Sequence, residues 1–328
     1  MPTIQAAILG FGTVGEGIYR ILEERSSQIE AATGCTIQVK YVLVKDVQKE
    51  RIPTTGTIVT DDIQHILQDQ DIDIVFEAIV GEEPAYHYLC EAIERGCHII
   101  TANKAMFAVH GPDLLRRAET NNVHVGFEAT TAGGVPIIQT IKNLLTGDRI
   151  KRIQGILNGT SNFILTKMRE DDLSFQEALT QAQAYGYAEA DPTDDISGMD
   201  AFRKLMILSE LTFGKQPQWS TINRAGIDTL THEEVIEAMR QHLRYRHIAD
   251  IQLDEDGALV GSVGPVLVGS DHPFYGIDGV DNSIIVETEY LGTLTLTGPG
   301  AGMYPTGSAM VNDLIHILQL TKQPLVTN

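Results

Sequence analysis

The 328-residue chain is 43% hydrophobic, enough for two domains with full cores, and carries a formal charge of −20. That charge argues against a nucleic-acid surface or an anionic membrane as partner, because both need clustered Lys and Arg. No apolar run approaches a membrane span, no targeting segment precedes the first strand, and Cys35, Cys90 and Cys97 lack metal-ligand spacing, so a cytoplasmic protein with reduced cysteines is expected.

Thr3 to Leu9 is a short apolar run that feeds directly into Gly10-Phe11-Gly12-Thr13-Val14-Gly15, followed by helical spacing through Ile18, Ile21 and Leu22. A strand, a Gly-rich turn and a helix in that order suit a dinucleotide pyrophosphate. Gly10 permits the tight turn, Gly12 lets phosphate approach the backbone, Gly15 lets helix and strand pack closely, and the helix N-terminus favours the anion. The second strand, Thr36 to Val44, ends where the adenosine ribose belongs. Lys45 stands there first and Asp46 second, with Lys49 and Arg51 nearby, which leans toward NADP while leaving NAD open.

Asp73 to Val80, Cys97 to Thr101 and Val123 to Glu128 read as further strands, and Pro84 to Arg95 and Gly111 to Asn121 as the helices between them. This alternation predicts a Rossmann-type, doubly wound parallel sheet. Thr101-Ala102-Asn103-Lys104 stands at a strand's C-terminal end, where such sheets bind ligands, so Lys104 is placed to reach the nicotinamide ribose or substrate. Glu128-Ala129-Thr130-Thr131-Ala132-Gly133-Gly134-Val135-Pro136 leads into a helix, Ile137 to Leu145. One carboxylate and a Gly-rich backbone can offer oxygens to a hard cation, although a helix-entry loop is the default reading.

Ile153 to Leu157 reads as a strand leading to Asn158-Gly159-Thr160-Ser161-Asn162, a turn and helix N-cap with groups able to touch a small polar substrate. The helices Phe163 to Glu170 and Phe175 to Tyr185 deliver the stretch Tyr185 to Lys204. Its first part is a loop carrying Glu189, Asp191, Asp194 and Asp195, with Asp200 just beyond and no base before Arg203. Met199 to Phe213 has apolar residues at helical spacing, which puts Asp200 and Lys204 on one face. A Lys held beside carboxylates stays protonated and suits a proton donor to an oxygen gaining charge.

Glu233 to Tyr245 is amphipathic and charged. Ile248 to Leu253, Ala258 to Val263, Ser283 to Thr288 and Thr293 to Thr297 alternate as strands of a mixed sheet. His232, His242, His247 and His272 lack paired ligand spacing and read as surface or satisfied polar residues. Gly298 to Thr306 is a second Gly-rich loop, followed by a helix, Gly307 to Leu320, that returns the chain to the nucleotide domain. The expected division is 1–134 with 303–328 for the dinucleotide and 135–302 for an α+β substrate and dimerisation domain.

Read in order, GFGTVG, TANK, EAT…GGVP, GILNGTSNFIL, GYAEADPTDDISGMDAFRKL and GPGAGMYPTGSA resemble the homoserine dehydrogenase family over nearly the whole chain. The resemblance implies hydride transfer between NADP or NAD and L-aspartate 4-semialdehyde, giving L-homoserine on the route to threonine and methionine. It implies Lys204 as proton donor, Lys104 as a second contact to substrate and cofactor, and Glu189 and Asp200 on the substrate ammonium. Asp195, Tyr187 and Thr160 would line the pocket. Phe11, Thr13, Val14, Gly186 and Gly302 would join Gly10, Gly12 and Gly15 at the cofactor. It further implies a sodium or potassium ion on Glu128 with backbone oxygens of Thr131, Gly133 and Val135, and a homodimer joined through the substrate-domain sheet. Thr131-Ala132 departs from the family, which often has Val or Met followed by Gly, and this puts the loop shape in question. Longer members carry a C-terminal regulatory domain, and the chain is expected to be the short form without it.

Overall fold

Apolar strands alternating with amphipathic helices form two compact units in the computed structural model, which describes residues 1–49, 51 and 56–322. The units are Met1–Gly133 with Gly302–Asn328, and Gly134–Ala301. Residues 323–328, part of the expected nucleotide domain, lie outside the described residues.

The first unit runs β1 (Thr3–Leu9), α1 (Thr13–Glu24), α2 (Ser26–Thr33), β2 (Thr36–Leu43), β3 (Ile58–Thr60), α3 (Gln64–Leu67), β4 (Ile72–Glu77), α4 (Ala85–Glu94), β5 (His98–Thr101), α5 (Lys104–Thr120) and β6 (Val125–Gly126). The strands lie in the order β3-β2-β1-β4-β5-β6, every pair parallel. Crossovers from β1 run outward both ways, which sets the switch point at the β1 and β4 ends. Ile8, Ile18, Val42, Ile74 and Phe76 form its core with Met310 and Leu314 of the C-terminal helix, Met303–Lys322.

Several boundaries differ from the sequence reading, β6 among them, which is Val125–Gly126 rather than Val123 to Glu128, and three differ for evident local reasons. Strand β4 stops at Glu77 rather than Val80, because the Glu77 side chain turns back to accept a hydrogen bond from the Ile79 amide at 2.7 Å. Helix α5 starts at Lys104 rather than Gly111. Asn103 caps it by accepting from the Met106 amide at 3.1 Å, and the helix continues through Pro112. The C-terminal helix starts at Met303, with Pro305 in its first turn where a missing N–H costs nothing.

The second unit runs α6 (Ile137–Leu144), β7 (Ile150–Ile156), α7 (Gly159–Glu170), α8 (Phe175–Ala184), α9 (Thr193–Ile196), α10 (Met199–Phe213), β8 (Asn223–Arg224), α11 (His232–Arg240), β9 (Arg244–Leu253), β10 (Leu259–Val268), β11 (Asp281–Thr288) and β12 (Thr293–Pro299). Its strands lie in the order β12-β11-β7-β9-β10-β8, antiparallel apart from β10 with β8, so the sheet is mixed. Helices α7 and α10 pack on this sheet.

Within the amphipathic stretch Glu233 to Tyr245, helix α11 ends at Arg240. His242 takes a left-handed φ of 60° and the Leu243 amide returns to the Ala238 carbonyl at 2.9 Å, so the chain turns straight into β9. Strand β10 runs past Gly264-Pro265 to Val268. On its outer side, among the described residues, it pairs with β8 at Ser262 and Val263, so Pro265 lies beyond that short pairing, where a missing N–H is tolerated.

Candidate active site

In the nucleotide unit the three glycines of the turn meet three different demands. Gly10 has φ +93°, and a Cβ there would lie 2.7 Å from the Ala78 carbonyl oxygen. A Cβ at Gly15 would lie 2.0 Å from the Gly10 carbonyl oxygen, so α1 can start this close to the strand only without a side chain. At Gly12, which caps α1, a Cβ would meet nothing within 4 Å, leaving the backbone open to an incoming group. Exposed Thr13 and half-buried Val14 begin α1, and Phe11 packs edge-on against Tyr19. This geometry fits a dinucleotide pyrophosphate on the helix N-terminus.

Lys45 is exposed just after β2, and Asp46 uses its carboxylate on the Gln48 amide at 2.8 Å. Lys104 is half-buried as the first residue of α5. Beneath it lies a network that the sequence reading missed. Glu77 is fully buried and accepts from Thr101 Oγ1 at 2.5 Å, while the Asn103 amide donates to the Ile79 and Gly81 carbonyls at 3.0 and 2.6 Å. Burial raises the Glu77 pKa to about 7, against the lowering pull of Thr101, Ile79 and Asn103. Gly302, with φ +124°, stands immediately before the C-terminal helix.

In the second unit α10 delivers Lys204 and Asp200 from one face, as their spacing predicts. Lys204 Nζ lies 2.7 Å from Asp200 Oδ2, and it donates to the Leu157 carbonyl at 2.6 Å. Asp200 is 2% exposed and Lys204 7%, so the pair is shielded and an uncompensated charge there would be costly. Asn158 joins the carboxylates: its Nδ2 donates to Asp200 Oδ2 at 2.8 Å and Asp195 Oδ1 at 2.7 Å, while its Oδ1 caps α7 at the Ser161 amide. The sequence placed Asn158 in a capping turn, and the structure adds this bridge. Thr160 Oγ1 donates to the Tyr187 carbonyl at 2.7 Å, tying the start of α7 to the acidic loop.

The loop carboxylates divide by task. Asp191 bonds the Thr193 amide and hydroxyl before α9, and Asp194 pairs with Arg203. Asp195 and Asp200 gather around Asn158, while Glu189 and Tyr187 are exposed beside Gly186, whose φ is +75°. Of the two readings, surface or satisfied polar residue, His247 takes the second at its Nε2. It is 1% exposed on β9, with Nε2 3.0 Å from the Ala225 carbonyl oxygen. Burial pushes its pKa below the usual histidine value, against the Ala225 carbonyl, Asp200 and Asp228.

Glu128 is buried in a single 3-10 turn after β6, with its amide on Asp313 Oδ2 at 2.9 Å. Thr131 is buried beside it and Gly133 has φ 55°. Val135, in the second unit, accepts at its carbonyl from the Ile137 amide at 2.8 Å, which leaves that oxygen one lone pair. A buried carboxylate of this kind is a hard oxygen donor, the chemistry a hard cation takes.

The homoserine dehydrogenase family profile matches residues 136–315, and the profile described as homoserine dehydrogenase, NAD binding domain, matches residues 10–128. A homoserine dehydrogenase structure from Thiobacillus denitrificans superposes with a TM-score of 0.93 at 38% identity, covering 98% of this chain and 74% of that one. A relative from Pseudomonas canavaninivorans, an NAD(+)-dependent homoserine dehydrogenase, is 34% identical over 97% of both chains. A hyperthermophilic archaeal homoserine dehydrogenase in complex with NADPH superposes with a TM-score of 0.80 at 26% identity, covering 98% of this chain and 99% of that one. The dinucleotide turn and the shielded Lys204–Asp200 pair thus lie within matched segments, and the chain belongs to the homoserine dehydrogenase family, NAD(P)-dependent oxidoreductases acting on a CH–OH group.

Proposed function

We propose that the chain reduces L-aspartate 4-semialdehyde reversibly to L-homoserine, with Lys204 giving the proton that the carbonyl oxygen takes up. The observation that carries this reading is the ammonium of Lys204, held by Asp200 and the Leu157 carbonyl at 2.7 and 2.6 Å. These two contacts fix the direction of the ammonium, and an ammonium held in place beside a carboxylate suits a proton donor to an oxygen gaining charge. When bound, the nicotinamide supplies the hydride. Lys204 then meets the developing alkoxide, transfers its proton to that oxygen and is reprotonated before the next turnover. In the oxidative direction it accepts the hydroxyl proton.

The substrate is an amino acid, and its ammonium calls for carboxylates. Glu189 and Asp200 fill that role, with Asp195, Tyr187 and Thr160 lining the pocket. Lys104 acts as a second contact to substrate and cofactor. Gly10, Phe11, Gly12, Thr13, Val14, Gly15, Gly186 and Gly302 hold the dinucleotide, and exposed Lys45 favours NADP by meeting a 2′-phosphate. Glu128 with the backbone oxygens of Thr131, Gly133 and Val135 holds sodium or potassium. Exposed Val260, Val266 and Leu267 on β10 support a homodimer joined through the second unit's sheet, at work in the cytoplasm.

The test is homoserine turnover with NAD and with NADP, each with and without added sodium or potassium. Activity on homoserine no better than on serine or malate would refute the substrate. Equal rates with both cofactors, or no response to the cations, would refute the Lys45 and Glu128 assignments separately.

A further inference from the structure

Lys204 shares its carbonyl. Leu157 O accepts from Lys204 Nζ at 2.6 Å and from Asn282 Nδ2 at 3.1 Å. A carbonyl oxygen has two lone pairs, so with Asn282 on one, the ammonium is confined to the other. The same peptide leads into Asn158, whose amide holds Asp200 and Asp195. Fixing its plane therefore fixes the direction of the Leu157 carbonyl and the backbone from which Asn158 reaches Asp200.

Asn282 stands second in β11, fully buried, and its Oδ1 has no hydrogen-bond partner among the described residues. A polar side chain kept only for packing would satisfy both ends of its amide or be replaced by an apolar one, since an orphaned buried acceptor costs stability. Here the NH₂ end is used and the oxygen is left unmet. The seat of the amide is equally specific. A Cβ on Gly300 would lie 2.1 Å from Asn282 Cγ and 2.3 Å from both Nδ2 and Oδ1, so any side chain at 300 would displace it. The second Gly-rich segment thereby gains a task that a loop closing over cofactor does not require of Gly300.

We propose that Asn282 is a positioning residue for Lys204, seated by Gly300 and acting through the Leu157 carbonyl. This rests on the reading of Lys204 as the proton donor. The test compares Asn282→Leu, Gly300→Ala and Lys204→Ala, singly and with Asn282→Leu placed in the Lys204→Ala background, using the full chain, homoserine and NADP. Asn282→Leu keeps the four side-chain heavy atoms and the branch at Cγ and removes the donor. It is expected to lower kcat about 10- to 100-fold, the scale of a misplaced reacting group, with cofactor KM within about twofold.

Gly300→Ala is expected to give the same split, because it displaces the amide without altering it. If Asn282→Leu fails to fold, Gly300→Ala decides alone. In the Lys204→Ala background, Asn282→Leu is expected to change the residual rate by less than about twofold, since its effect passes through the absent ammonium. Unchanged kcat in both single variants would overturn the inference, as would an equal loss in the presence and absence of Lys204. A fully active Lys204→Ala would instead remove the proton-donor reading beneath it.

Discussion

Replacing Asp200 by Asn separates the electrostatic role of the carboxylate from its shape. The carboxylate is 2% exposed and lies 2.7 Å from Lys204 Nζ, itself on a side chain nearly as buried. Removing one member of a buried ion pair leaves the other charge desolvated and uncompensated, at a cost of about 3–5 kcal/mol. Folded proteins are stable by only about 5–15 kcal/mol, so Asp200→Asn should move the denaturation midpoint of the second unit well below that of the parent. Urea titration followed by far-UV dichroism measures this. Adding Lys204→Met to Asp200→Asn removes the stranded charge, and the double variant should recover most of the lost stability while remaining inactive. A loss below about 1 kcal/mol for Asp200→Asn, the range of exposed pairs, would refute the reasoning. A double variant less stable than Asp200→Asn would refute it too.

Three further outcomes follow from the nucleotide unit. Glu77 has its folded pKa raised from 4.5 to about 7, so between these values the unfolded chain gives up this proton while the folded chain keeps it. Stability from this group therefore falls as pH rises through that window, by on the order of 3 kcal/mol. Glu77→Gln, which mimics the protonated acid, should show a flatter change in urea midpoint between pH 5 and 8, and an unchanged slope would contradict the assignment. Gly12→Ala should melt like the parent yet bind cofactor at least about tenfold more weakly, because its Cβ fills only the space the pyrophosphate needs. Gly15→Ala should lose stability as well, and equal melting of the two variants would count against the reading of the turn. Lys45→Ala should raise the KM for NADP about tenfold while leaving that for NAD nearly unchanged, the scale of one charge-assisted hydrogen bond; parallel shifts in both would show that Lys45 does not read the 2′-phosphate.

Local chemistry was legible where it is written in consecutive residues. The Gly10 to Gly15 turn has the backbone its glycines imply, α10 spans Met199–Phe213 as its apolar spacing requires, and Asp200 meets Lys204 because i and i+4 share a helix face. Boundaries failed where a side chain overruled a local signal. Asn103 starts α5 seven residues before the Gly111-Pro112 pair that looked like an entrance, and His242 ends α11 with a left-handed turn that no glycine announces. Groups behind Lys204 could not be found from spacing at all. Asn158 and Asn282 come from α7's cap and β11, and only the sheet order that sets β7 beside β11 assembles those elements. Glu77 was invisible for a similar reason, since a carboxylate ending an apolar strand is buried only because β1 and β5 flank it.

The central claim is that the Lys204 ammonium supplies the proton of the reduction. Its most direct test is steady-state turnover of homoserine and of aspartate 4-semialdehyde by Lys204→Ala, with cofactor binding measured on the same preparation. The account predicts that kcat falls about 10²- to 10⁴-fold, the usual worth of a positioned acid or base, while NADP binds within about twofold of the parent. A variant that turns over at the parent rate, or one whose loss is explained by weakened cofactor binding alone, would contradict it.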